Sequence, residues 1–255
     1  MNTWKGLWKK EWQMMKSWLF ATLVIAVLLI LLVSFALSFL AEGMFGTALM
    51  MWILIVLCMP VSLLLNSMWI EWKRPDVWLH SPQSILQLFG SKVLFSAVVG
   101  FISMLVAGIA LALYASFVDN SFAEVGVVGF AKMIYSFVSS LYFGAIMLML
   151  IGLFLAVVYR TINSYVRRGA FFLWLVALFA SLWLFQTVLE SKLYQQIAHL
   201  GKLNTPSDAV EITVGNFYFI ENNTTFYVGE ILMVVGFMAF LFLSSAWLFE
   251  KKVRL

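Results

Sequence analysis

At 255 residues, 64% of them hydrophobic and only 11% charged, the chain departs from water-soluble domains, which are about one quarter charged. A soluble fold of this size could not cover so much apolar surface, so a bilayer is the solvent for most of it; the mean hydropathy of +0.99 agrees. The net charge of +4 arises from basic residues at the ends of apolar stretches rather than in a run, which argues for membrane topology and against nucleic acid as a partner.

Residues 3 to 16 read as an amphipathic helix. At about 100° per residue, Trp4, Leu7, Trp8, Trp12 and Met15 share one face, with Lys5, Lys9, Gln13 and Lys16 opposite. That is the pattern of a helix lying in the membrane interface, here residues 1–17. Glu11 breaks it by falling on the apolar face. Its carboxylate either snorkels, pairs with Lys10 or a loop arginine, or makes an ionic contact to another subunit. The apolar run that follows is too long for a cleavable signal peptide and has no small-x-small site.

A membrane-crossing helix needs about 20 mostly apolar residues. Six stretches qualify, at 18–41, 47–70, 93–117, 133–159, 170–189 and 227–249, which predicts an all-α membrane domain over residues 1–255. In the second, Pro60 removes a backbone donor and clashes with the carbonyl of Val56, so a kink is expected among Cys58, Ser62, Asn66 and Ser67. The third carries Ser96, Gly100, Gly108 and Ala112, and the fourth Ser136, Ser140, Gly144, Gly152 and Ala156. Such stripes of small residues let helices approach closely. A lone cysteine, Cys58, rules out a disulfide framework or a cysteine metal site.

The connection at 71–92 combines charge, two prolines and aromatic residues before a helical pattern resumes. Ser81 suits a helix cap, Pro82 the first helical position, and Ile85, Leu86, Leu88 and Phe89 an apolar face leading into the third span. The connection at 190–226 is the long one on the other side. It is expected to hold a short helix ended by Gly201, then a stretch at 212–220 apolar enough to dip back into the membrane.

Orientation follows from Lys and Arg in the short connections. Thirteen lie in the N-terminal segment, the second and fourth connections and the tail, against three (Lys132, Lys192 and Lys202) on the opposite side. A multi-pass protein of the cell membrane with both termini cytoplasmic is predicted. No ionisable residue falls near the centre of a span, which argues against a proton-coupled carrier or an intramembrane metalloprotease. His80 and His199 both sit in loops, a poor arrangement for a buried Ser/His pair. Neither catalytic nor metal-ligating residues are expected.

The segment Lys10-Glu11-Trp12, the six spans and the run Leu79-x-Ser81-Pro82-x-Ser84 … Gly90-x-Lys92 resemble the type-2 ABC exporter permease family. Ile85 stands where that family often has a basic residue, and Ser91 where a glycine usually precedes the lysine, with Gly90 one place earlier. The resemblance implies an interfacial helix carrying Trp4, Trp8, Lys10, Glu11 and Trp12. It also implies a coupling helix in the 71–92 loop, with Lys73, Arg74, Asp76, Trp78, His80, Ser81, Pro82 and Ser84 at the contact with a separate ATPase subunit. ATP and Mg would be bound by that partner, consistent with the absence here of a G-x-x-x-x-G-K-[ST] phosphate loop. A second permease chain, identical or paralogous, is implied, with cargo moving between the two. Spans two and five would then supply the walls: Met51, Leu54, Pro60, Val61, Asn66, Phe171, Phe172, Leu175 and Phe179. Those walls suit a hydrophobic or amphipathic cargo such as a peptide, antibiotic or lipid. The alternative is a membrane sensor or accessory subunit that transports nothing and whose external loop binds a ligand.

Overall fold

A computed structural model describes residues 3–38, 45–73, 84–118, 121–166, 168–203, 211–214, 217–220 and 226–252. The chain is overwhelmingly helical. In order come α1 (Thr3–Ser38), α2 (Phe45–Trp72), α3 (Ile85–Val118), α4 (Ser121–Tyr165), α5 (Ala170–Leu189) and the short α6 (Lys192–Ala198). Four brief strands follow, β1 (Lys202–Leu203), β2 (Glu211–Val214), β3 (Phe217–Ile220) and β4 (Phe226–Tyr227), and then α7 (Val228–Lys252).

Among the described residues, four helices are long and apolar enough to cross a membrane, over Ile55–Trp72, Ile85–Val106, Leu141–Tyr165 and Val228–Lys251; Ala170–Trp183 is a shorter apolar helix. These match the second, third, fourth and sixth stretches picked out by sequence. The first stretch lies within α1 as far as Ser38, residues 39–41 falling outside the described residues.

Two helices run on beyond the stretches read from sequence. No break separates the amphipathic segment from the first apolar run: α1 is one helix of 36 residues, about 54 Å long. The reason is that no glycine or proline occurs between Leu7 and Glu42, so nothing interrupts the hydrogen-bond ladder. Likewise α3 runs unbroken from Ile85 through the third stretch, so the helical turn after Ser84 belongs to the long helix. Pro60 sits inside α2, which continues through it.

The contacts divide the chain into two units. The first comprises residues 1–83, 87–149 and 211–219. Within it α1 packs against α2 in antiparallel fashion, Met15 and Leu19 meeting Met59, Leu63 and Phe95 in one buried cluster. A second cluster joins Val56 of α2, Met104 of α3 and Val138 and Ala145 of α4. The Pro60 ring lies against Gly100 so closely that a Cβ there would stand 2.9 Å from the proline Cβ. Here the small-residue reading of α3 acquires a named partner. Lipid tails are as apolar as leucine, so such contacts hold helices together by close packing rather than by escape from water. The Tyr142 hydroxyl adds a donor to the Ala97 carbonyl at 3.1 Å.

The second unit comprises residues 84–86, 150–210 and 220–255. Trp174 on α5 donates its indole N–H to the Leu155 carbonyl on α4 at 3.0 Å, and its ring meets Tyr159 edge-on. Ser191 caps α6 by accepting from the Tyr194 amide, and Gly201 follows at φ +71, a left-handed turn that favours glycine. The chain then forms β1, which pairs antiparallel with β4 (Lys202 with Tyr227, Leu203 with Phe226). Val228 and Gly229 donate their amides to Gly201 and Leu200, tying the start of α7 to the end of α6. At Gly229 a Cβ would run into the Ile197 carbonyl.

The stretch at 212–220 was expected to dip into the membrane. Its backbone forms β2 and β3, paired with each other. Its Ile, Thr, Val, Phe and Tyr residues favour a pleated strand, and Gly215-Asn216 between them is a hairpin sequence.

Candidate functional site

The most unusual chemistry lies where α1, α2 and α3 meet beside the 74–83 connection. On α1 the residues facing inward are Leu7, Glu11, Met15 and Leu19, a strict four-residue step. This places a carboxylate in an otherwise apolar row. On α3 the inward row is Leu88, Phe89, Lys92, Phe95 and Ser96, which puts an ammonium in the same setting. From α2 come Ser67 and, one turn later, Glu71.

The Lys92 ammonium is the hub. It donates to Glu11 Oε1 at 2.8 Å and to Ser67 Oγ at 2.5 Å, and lies 3.0 Å from Glu71 Oε1. Ser67 in turn donates to Glu11 Oε2 at 2.7 Å. Lys10 reaches Glu71 Oε1 at 2.6 Å from outside. The side chains of Lys92 and Glu11 are each 1% exposed and that of Glu71 4%, whereas Lys10 is 36% exposed. Two carboxylates therefore face two ammoniums, and the cluster is neutral as a set.

The bonding is uneven. Both oxygens of Glu11 are satisfied, while Glu71 makes ionic contacts without hydrogen-bond geometry, and both its oxygens accept no hydrogen bond among the described residues. Taking ions out of water costs several kcal/mol each, and only well-placed counter-charges offset it. Glu11 is well matched and Glu71 less so.

This geometry gives Glu11 a buried partner within the chain. Among the described residues its charged partner is Lys92, 81 positions away, rather than the neighbouring Lys10; Arg74 lies outside the described residues. Lys10 binds Glu71 instead, and each Glu11 oxygen accepts a hydrogen bond from within the cluster. Lys92 and Ser67 carry the cluster, yet neither stood out as a site residue by sequence. Their signal was a polar group at a core position of a helical apolar row.

The remaining residues singled out from sequence divide as follows. Trp4, Trp8 and Trp12 are exposed along α1; Trp8 and Trp12 meet Phe95 edge-on and Trp4 lies over Gly90. Lys73 is exposed, its ammonium 5.7 Å from the centre of the Trp69 ring, and Ser84 is exposed just before α3. Arg74, Asp76, Trp78, His80, Ser81 and Pro82 lie outside the described residues. Of the expected pathway residues, Pro60 is buried against Gly100, and Val61 and Asn66 are half-buried on α2. Phe171, Phe172 and Phe179 are exposed on α5 and Leu175 is half-buried. Met51 and Leu54 belong to α2, their side chains outside the described set.

Among the described residues no group of three or more His, Cys, Asp or Glu side chains could hold a metal ion. Compared with protein-family models, curated proteins and solved structures, the chain matches none, so the functional reading rests on its own residues.

Proposed function

We propose that this chain is the permease subunit of an ATP-driven ABC exporter. It crosses the membrane six times with both termini in the cytoplasm and works with a second permease chain and separate ATPase subunits that bind ATP and Mg. The observation that carries the reading is the placement of the ion cluster. Glu71 precedes the 74–83 connection, Lys92 follows it, and the two are 3.0 Å apart. Both ends of that connection are therefore held together and to α1, through Lys10 and Glu11.

A loop that receives force from an ATPase must have a stiff base, because a compliant one would absorb the displacement before the spans moved. The Ser81-Pro82-x-Ser84 run in that loop, the thirteen-to-three excess of basic residues on its side and the absence of a phosphate loop support the same reading. The exposed apolar surface of α5 suits a hydrophobic or amphipathic cargo.

The test is to purify the chain in lipid with candidate ATPases encoded beside it and to measure ATP hydrolysis. Stimulation of a co-purifying ATPase is the expected result. His80→Glu and Pro82→Gly should then abolish stimulation while membrane insertion stays normal. Failure to associate with any ATPase, or unchanged transport in both variants, would overturn the reading in favour of a sensing or accessory subunit.

A further inference from the structure

The charges of α1, α2 and α3 do not cancel where they can be reached. The acidic residues described in these helices, Glu11 and Glu71, are both buried and both consumed by Lys92 and Lys10. Lys5, Lys9 and Lys16 on α1, and Lys73 just beyond α2, remain exposed with no acidic partner among the described residues. Internal pairing thus leaves only lysines among the exposed charged side chains described in these helices and at Lys73.

Its layout is ordered. At 100° per residue Lys5, Lys9 and Lys16 fall within an arc of about 40° along α1; Trp12 borders that arc on the side nearer the buried row, and Trp8 lies about 40° beyond Trp12. Lys73 sits over the exposed Trp69 ring. Two positions past Lys16 the helix becomes apolar and carries no charge through Ser38. Basic groups, a border of indoles and then an uninterrupted apolar stretch form the sequence of environments met on passing from headgroup phosphates, through the glycerol level, into acyl chains.

We propose that the Lys5–Lys9–Lys16 stripe, with Lys73, is a recognition surface for anionic phospholipid headgroups. Ammonium groups would pair with the phosphodiester and the extra negative charge of the headgroup, while Trp8 and Trp12 occupy the interface beneath. The inference requires only that the chain sits in a bilayer and is independent of what it transports. Each lysine near an anionic surface contributes enough that losing three weakens binding by roughly 100-fold, an attraction that salt screens over about 10 Å or less.

The experiment uses the full chain in a neutral detergent, with phosphatidylglycerol and phosphatidylcholine as probes and binding read by native mass spectrometry. Wild type should bind phosphatidylglycerol in preference to phosphatidylcholine, and added salt should erase that preference. The triple variant Lys5→Gln, Lys9→Gln, Lys16→Gln should fall to the phosphatidylcholine level, the matching triple arginine variant should keep the preference, and Lys192→Gln should bind as wild type does. Equal binding of the two lipids by wild type, a salt-insensitive preference, or retention of it in the glutamine variant would overturn the proposal. So would an equal loss in Lys192→Gln. Should the glutamine variant fail to fold, the salt titration of wild type still decides. No ATPase enters the assay, so its outcome is separate from that of the exporter reading.

Discussion

Replacing Lys92 by methionine keeps the bulk of the side chain and deletes the one atom that touches Glu11, Ser67 and Glu71 together, at 2.8, 2.5 and 3.0 Å. Glu11 would then keep only the Ser67 hydroxyl, and Glu71 only Lys10 at the exposed edge. Removing one partner of a buried ion pair costs about 3–5 kcal/mol, mostly the penalty of the charge left behind. In a chain of this length that lowers a thermal midpoint by roughly 6–20 °C. Lys5→Met, at an exposed site, should stay within about 0.5 kcal/mol of wild type. Adding Glu11→Gln to Lys92→Met removes one stranded charge and should restore part of the loss. Intrinsic tryptophan fluorescence during heating in detergent reads all of these, because Trp8 and Trp12 flank Phe95, one turn from Lys92. A Lys92→Met midpoint equal to that of Lys5→Met, or a double variant no better than the single, would refute the assignment of Lys92 as hub.

Gly100→Ala and Gly144→Ala make the same chemical change with opposite expected signs. At Gly100 the new methyl meets the Pro60 ring, which is fixed to the backbone and cannot swing aside, so a loss of about 1–3 kcal/mol is expected; at Gly144 nothing lies within 4 Å, and the helix should gain up to about 1 kcal/mol. Thermal midpoints of the two variants check the pair. Gly229→Ala drives a methyl into the Ile197 carbonyl and should detach the start of α7 from α6, seen as faster amide exchange at Val228 and residue 229.

The long helices were legible because an apolar run of spanning length has few alternatives, and the continuity of α1 was written in the absence of any breaker from Leu7 to Glu42. Dividing α1 at residue 17 gave weight to a change in amphipathicity, which alters a helix's surroundings without altering its backbone. Glu11 announced that it needed a partner, but not which one. Lys92 is 81 positions distant, and only the approach of three helices selects it over nearby Lys10. The β2–β3 pair had a local signal, alternating β-branched and aromatic residues around Gly215-Asn216, which total hydrophobicity obscured. The Pro60–Gly100 contact was half visible. Each residue was notable alone, and their meeting depended on the register of α2 against α3.

The length of α1 gives its anchorage mechanical meaning. The helix is held at Glu11 by an ionic contact and runs about 40 Å further to Ser38. A rod pivoting about a point so near one end acts as a lever with unequal arms. A tilt of about 10° at the Glu11–Lys92 fulcrum would carry the far tip roughly 7 Å, computed from the helical rise. Small displacements around Lys92 are thus amplified at the far end of α1.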